Sequence, residues 1–276
     1  MNNQTQNDVE VSVITTTYNS LEYLPLSIES IQNQTFNNYE HIVVNDGSTD
    51  GTKDYLDSLK DQKIRVIHLE RSGRGVALNK GLEESKGKYV AILDADDLSV
   101  NMRLEIQYAT LREHPQYDLI ASPFEIFSDQ EDIDIDSKQN DAMVSSATER
   151  KLELKDFIYG NPICHSSVMM KKEFISHLGN YDQTRDELFD FDLWIRALIS
   201  SNDSNMYNLE IPLIFRNLHD QQYFESRKRI NYLLKTYALR RKLLENNDSP
   251  IYYKIVIFFV LIYGFLPRFF RKIFMN

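Results

Sequence analysis

Cysteine is almost absent from this chain of 276 residues. Cys164 stands alone, which excludes an internal disulfide framework and any metal site built from several thiolates. The opening, MNNQTQNDVE, has neither a basic start nor an apolar stretch, so no secretory leader is expected. No run is long enough to be read as a membrane span. The most apolar stretch, from Ile251 to Leu266, is interrupted by Lys254 and Gly264, and its roughly sixteen residues fall short of the ~20 that a spanning helix needs. No internal repeat is visible. What is present is ordinary globular material, 42% hydrophobic and 26% charged, which rules out a disordered or fibrous chain.

Charge of one sign is also scarce where it matters. The net charge is −10. Residues 221–276 hold eleven Lys or Arg against three acids, a balance of +8, so the first 220 residues carry −18. An acidic body argues against nucleic acid as a partner. The basic, apolar tail suits an anionic surface instead. Pro267 to Phe274 mixes aromatics with cations, and the segment from 251 onward is expected to be an interfacial or re-entrant membrane anchor, or else a helix packed on the body or on a second subunit.

The first hundred residues alternate between two periodicities. Residues 11–17, 41–44, 64–69 and 89–93 are short β-branched or apolar runs bounded by turn signals, so they predict strands. Residues 21–34, with Leu24, Ile28 and Ile31 in helical spacing, predict a helix with Ser20 as its N-cap; residues 52–59 and 76–85 predict two more. Such alternation implies right-handed crossovers and a parallel sheet. Ligands bind such sheets at the carboxyl ends of the strands, which directs attention to residues 17–19, Asp46 and residues 94–97. Beyond residue 100 the pattern predicts helices at 102–113, 155–159, 191–200 and 222–245, and strands at 119–127, 168–170 and 206–214. Residues 128–140 are acidic and read as an exposed loop.

The sharpest chemical signal is Leu93-Asp-Ala-Asp-Asp97 at the end of an apolar strand. Two carboxylates one residue apart at a strand end can share one hard cation, and magnesium and manganese prefer such oxygen ligands with phosphate completing the shell. The alternative is an acidic turn that caps the next helix.

Four segments in order, VSVITTTYN (11–19), VNDGSTD (44–50), GRGVALNKG (73–81) and GKYVAILDADD (87–97), resemble the family 2 glycosyltransferases. The resemblance is close over residues 9–100 and looser to about 220. It implies the α/β nucleotide-binding fold called GT-A, with a mostly parallel central sheet, a donor-binding part over about 9–100 and an acceptor part over about 101–220. Residues 221–276 would be a helical extension. Carried over by position, it implies that Thr17, Tyr18 and Asn19 line the nucleotide pocket. Asp46 would bond the base or ribose, a strong fixed contact for a carboxylate, and Asp94 would reach the ribose. Asn79 and Ala95 fall in the same donor-binding segments, and Asp96 would hold the cation. For residues 18–19 a plain strand-end turn is the competing reading, and for Asp46 an Asx-turn. Arg71 and Arg74 fit either a phosphate contact or a solvated loop.

Transfer to a hydroxyl requires a base, and a positioned carboxylate is the simple solution. The resemblance implies an acid just before a Trp-bearing helix. In Asp186-Glu-Leu-Phe-Asp-Phe-Asp-Leu-Trp194 that acid is Asp190, with Glu187 as the alternative, and Phe189 stands where the family often has a second acid. Asp97, His165, Asp192 and Trp194 are candidate contacts to acceptor or donor sugar; Trp194, at helical spacing from Leu198, equally suits the core. His219, in an Arg-x-x-His segment, is a candidate for the metal or the diphosphate.

The expectation is therefore a metal-dependent, inverting glycosyltransferase. It would use a divalent cation (Mn2+ or Mg2+) and a uridine diphosphate sugar, and act on a saccharide or lipid-linked acceptor in cell-surface polysaccharide synthesis. It would sit peripherally on the cytoplasmic face of a membrane, with its oligomeric state open. A non-catalytic nucleotide-sugar-binding subunit is the alternative. A nucleotidyltransferase is disfavoured, because no Gly-rich phosphate loop followed by Lys lies near the first strand.

Overall fold

The structure is a computed structural model that describes residues 9–127, 148–200, 205–217, 229–247 and 249–265. The predicted acidic loop at 128–140 and His219 lie outside the described residues.

The N-terminal part forms as its alternation implies. Strands β1 (Val11–Thr17), β2 (Tyr39–Asp46), β3 (Ile64–Leu69) and β4 (Tyr89–Ile92) alternate with helices α1 (Leu24–Gln32), α2 (Thr52–Ser58) and α3 (Arg74–Glu84). All eight residues of β2 are buried, as expected of a strand covered on both faces. The strands pair in parallel in the order β3-β2-β1-β4, with Ile14 beside both Ile42 and Ile92. That register brings the carboxyl ends of β1, β2 and β4 to one edge. The first helix starts at Leu24, because Pro25 occupies its first turn; Ser20 contributes its carbonyl to the amides of Tyr23 and Leu24 (3.1 and 2.9 Å), rather than a side-chain cap.

The later part corrects two expected strands. The apolar run 119–127 divides into β6 (Leu119–Ala121) and β7 (Phe124–Phe127), and 206–214 divides into β10 (Met206–Leu209) and β11 (Ile214–Asn217). Pro123 and Pro212 explain the breaks, since neither can donate to a ladder. The two halves enter different sheets. β6 and β10 join β9 (Met169–Lys171) and β8 (Glu149–Lys151) in the large sheet, whose order is β3-β2-β1-β4-β9-β6-β10-β8. β11 pairs with both β5 (Leu98–Ser99) and β7 in a small one, in the order β5-β11-β7. Where the two crossings meet, the Leu213 amide donates to the Ser122 hydroxyl (3.3 Å). β9 runs antiparallel to both β4 and β6, in an otherwise mostly parallel sheet.

The remaining helices are α4 (Arg103–Glu113), α5 (Leu154–Tyr159), α6 (Lys172–His177), α7 (Phe189–Ser200), α8 (Arg229–Glu245) and α9 (Ile251–Phe265). α7 supplies Phe191, Leu193, Trp194, Ile195 and Leu198 to the main core, which Leu239 and Leu243 of α8 complete. Ile257 of α9 packs with Ile158 and Leu244. On its other side α9 exposes Ile251, Ile255, Phe258, Phe259, Ile262 and Phe265, a stripe at spacings of three and four. Among the described residues no helix is long and apolar enough to cross a membrane.

Candidate active site

Leu93 continues the buried line of β4 and the chain then turns, with the Asp97 amide donating to the Asp94 carbonyl (3.2 Å). The turn gathers Asp94, Asp96 and Asp97 so that one carboxylate oxygen of each lies within 4.8 Å of the others. Hydrogen bonds from several elements hold it: the Asp94 amide donates to the Ser166 hydroxyl (2.9 Å), and the Ser27 hydroxyl donates to the Asp94 carbonyl (3.1 Å). Below it, Arg103 is fully buried and donates to the carbonyls of Ile92 and Val168 (2.8 and 3.1 Å). Burial lowers that guanidinium to about 10, against the opposing pull of Cys164, Asp97 and Asp94.

The three acids differ in environment. Burial alone would raise the Asp94 carboxyl, but the Arg74 guanidinium on its Oδ1 and His165 Nδ1 at 3.5 Å outweigh it, and hold the group well below the usual carboxylate range. Asp97 is buried, with the Asn217 amide on its Oδ1 (3.3 Å). Burial, then the charges of Asp94 and Asp96, push its carboxyl well above the ordinary range. Three carboxyls this close resist carrying three charges together. An oxygen-seeking divalent cation relieves that repulsion, so the donor set fits Mg2+ or Mn2+.

Just beyond the end of β1, Tyr18 exposes 43% of its surface, and the Arg71 guanidinium lies 3.7 Å from its ring centroid. Arg71 is anchored by Asp46. That buried carboxylate accepts from the Arg71 guanidinium, the Ser72 amide (2.7 Å) and hydroxyl (2.9 Å), and the Gly73 amide (3.0 Å). Gly47, at φ +73°, permits the close approach: a Cβ there would stand 2.6 Å from the Arg71 nitrogen. Asn19 takes a left-handed φ of 51° and accepts from the Thr49 amide (2.8 Å), tying the two loops together. Thr17 is buried, and its hydroxyl has no hydrogen-bond partner among the described residues. Asn79 and Ala95 lie deeper. The Asn79 side chain exchanges two bonds with the Tyr181 backbone (2.8 and 3.0 Å), and Ala95 is buried against Leu24 and Val43.

The opposite wall of the cavity includes residues of α7 and of the loop before β9. Asp190 stands in the first turn of α7, with its Oδ2 accepting from the Asn161 side-chain Nδ2 (2.8 Å). Glu187 forms an ion pair with Lys235 of α8 (2.6 Å). Asp192 is 3% exposed; its two oxygens take Arg185 (2.9 Å) and Arg196 (2.8 Å). Trp194 is fully buried in the main core. His165 shares a hydrogen bond with the Tyr181 hydroxyl (2.9 Å) and meets the Phe189 ring edge-on at 5.3 Å. A cavity of about 730 Å³ is lined by Arg71, Arg74, Asp94, Asp97, His165 and Asp190, together with apolar side chains such as Phe124 and Tyr232. No motif or periodicity in the sequence marks Asn161 for this role; its loop carries only the turn signal Asn161-Pro162.

Residues 12–179 match the family described as Glycosyl transferase family 2. The chain is 31% identical to the uncharacterized glycosyltransferase MJ1057 of Methanocaldococcus jannaschii, over 95% of this chain and 91% of the relative. Its fold is similar to that of TarS from S. aureus in complex with UDP-GlcNAc, with a TM-score of 0.70 at 18% identity, covering 90% of this chain and 70% of that one. It is also similar to the mannosyltransferase PcManGT from Pyrobaculum calidifontis in complex with GDP-Man and Mn2+, with a TM-score of 0.62 at 20% identity, covering 92% of this chain and 69% of that one.

Proposed function

The chain belongs to glycosyl transferase family 2, and from that premise we propose that its cavity moves a sugar from a uridine diphosphate donor to a hydroxyl of a saccharide or lipid-linked acceptor. The observation that carries the reading is the meeting of Asp94, Asp97 and Asp190 with Arg71 and Arg74 in one cavity. It is large enough for a nucleotide sugar, and its lining brings carboxylates and guanidinium groups together.

The nucleoside is assigned beside Thr17, Tyr18 and Asn19, next to the cavity-lining Arg71 that stacks on Tyr18. An aromatic ring there offers a stacking face, and Asp46 acts through the Arg71 it anchors. Asp94 is assigned to the ribose and Asp96, with its neighbours, to the cation. Bound there, Mn2+ or Mg2+ would supply positive charge against the diphosphate. The relatives in fold, one with UDP-GlcNAc and one with GDP-Man and Mn2+, support a nucleotide sugar and a divalent cation.

Asp190 is assigned as the base. Asn161 fixes one of its oxygens, so the carboxylate is oriented before the acceptor arrives. Glu187 is less suited, because Lys235 already neutralises it. In the transfer, the acceptor oxygen bonds to the anomeric carbon and its proton passes to Asp190. The bond from that carbon to the diphosphate oxygen breaks, with its electron pair leaving on the nucleoside diphosphate. A single displacement of this kind inverts the anomeric centre. The outward stripe of α9 is assigned to the cytoplasmic membrane face, where a lipid-linked acceptor is presented.

The test is nucleoside diphosphate release across a donor panel with Mn2+. Asp190→Asn is expected to lower kcat by about 10²–10⁴-fold. Asp96→Ala is expected to abolish metal-dependent turnover; turnover retained in that variant removes Asp96 from the cation site.

A further inference from the structure

We propose that Arg74 is the internal counter-cation of the Asp94–Asp97 turn, and that it makes uptake of a divalent cation conditional on the donor's diphosphate. The proposal rests on the reading of that turn as a cation site.

Arg74 opens α3 directly after Gly73, which takes a left-handed φ of +99°. Its guanidinium caps Asp94 Oδ1, the same oxygen that faces His165 Nδ1 at 3.5 Å. The Phe189 ring, centred 4.9 Å from the guanidinium carbon, supports it on α7. The Arg74 Nε is buried and has no acceptor among the described residues, so this side chain reaches the site with hydrogen-bonding capacity unused.

Two positive groups cannot share one carboxylate oxygen at contact distance without strong repulsion. A divalent cation held by this turn, where one oxygen of each of Asp94, Asp96 and Asp97 lies within 4.8 Å of the others, therefore repels the guanidinium from Asp94, and the displaced group needs another anion. A diphosphate supplies it. The planar fork of arginine matches phosphate oxygens in pairs, and such charge-assisted bonds are among the stronger ones. Arg74 is thus a positioning residue with two partners: Asp94 before the donor enters, the diphosphate after. Phe189, where the family often has a second acid, provides the face on which it pivots.

The consequence is a pair of effects with opposite sign, which loss of a merely structural residue does not produce. Binding is read by calorimetry with three probes: Mn2+ alone, UDP alone, and UDP at saturating Mn2+. Arg74→Gln is expected to bind Mn2+ alone at least tenfold tighter than the unaltered protein, and UDP with Mn2+ at least tenfold weaker. Arg74→Lys is expected to follow the unaltered protein for Mn2+ alone. Unchanged or weaker Mn2+ affinity in Arg74→Gln overturns the proposal. The unaltered protein gives a second test that needs no variant: UDP must strengthen Mn2+ binding at least tenfold, and by reciprocity Mn2+ must strengthen UDP binding equally. A ratio near one overturns the proposal as well. If the unaltered protein and Asp96→Ala take up Mn2+ equally poorly with UDP present, the cation reading itself fails and the proposal falls with it; Mn2+ uptake that needs Asp96 but ignores Arg74 refutes the proposal alone.

Discussion

Asp192 offers the clearest separation between a residue that touches substrate and one that holds the site together. The sequence made it a candidate sugar contact, whereas in the structure its carboxylate is 3% exposed and bridges Arg185 and Arg196. Arg196 also donates to the Leu178 and Asn180 carbonyls, so the bridge fixes the loop that carries Tyr181, the partner of His165 and Asn79. Asp192→Asn keeps the shape and removes the charge. Breaking a buried ion pair outright costs about 3–5 kcal/mol. The asparagine carbonyl can still accept from one guanidinium, a bond of about 0.5–1.5 kcal/mol. Both arginine side chains are about a quarter exposed (27% and 22%), so water recovers part of the rest. The net loss works out at about 2–3 kcal/mol, equivalent to a fall in Tm of roughly 5–10 °C for a domain of this size. Urea and thermal melts read it directly, with turnover measured well below the new Tm. Turnover lost while the melts stay unchanged would refute the reasoning and return Asp192 to the substrate.

Further expectations concern distant parts of the molecule. His41 is fully buried beside the Thr15 hydroxyl (3.0 Å), and burial pushes its imidazole down to about 4 from 6.5, despite Asp61. The unfolded chain then binds a proton between those values that the folded chain refuses. Stability should fall by about 3 kcal/mol as pH drops from 6.5 to 4, and His41→Gln should flatten that limb; parallel urea midpoints for the two proteins would count against it. Gly47→Ala should destabilise by about 1–3 kcal/mol from its positive φ and weaken UDP binding, because the new Cβ meets the Arg71 backbone at 2.6 Å; unchanged UDP affinity would show that Arg71 does not serve the nucleoside. Phe258→Asp with Ile262→Asp, both on the exposed stripe of α9, should abolish co-sedimentation with anionic vesicles and leave the melting temperature intact. Undiminished sedimentation would sink the membrane assignment.

Local pattern determined much of this protein. Hydrophobic period alone marked β1 to β4 and the helices between them, because a strand buried on both faces and a helix buried on one leave different repeats in the sequence. The Asp-Ala-Asp-Asp turn was legible for the same reason: the end of an apolar run is a local event, and strand ends are where such sheets bind ligands. The tertiary structure alone decided what those side chains meet. Asn161 reaches Asp190 across 29 positions, Arg71 reaches Asp46 across 25, and Arg74 reaches Asp94 across 20. It also sent Trp194 and Asp192 inward, while Asp190 on the same helix lines the cavity. The breaks at Pro123 and Pro212, and the exchange of strands between two sheets, belong to the same class. Such pairings depend on sheet register and on how loops far apart in the chain are packed together, and neither leaves a periodic trace in the order of the residues.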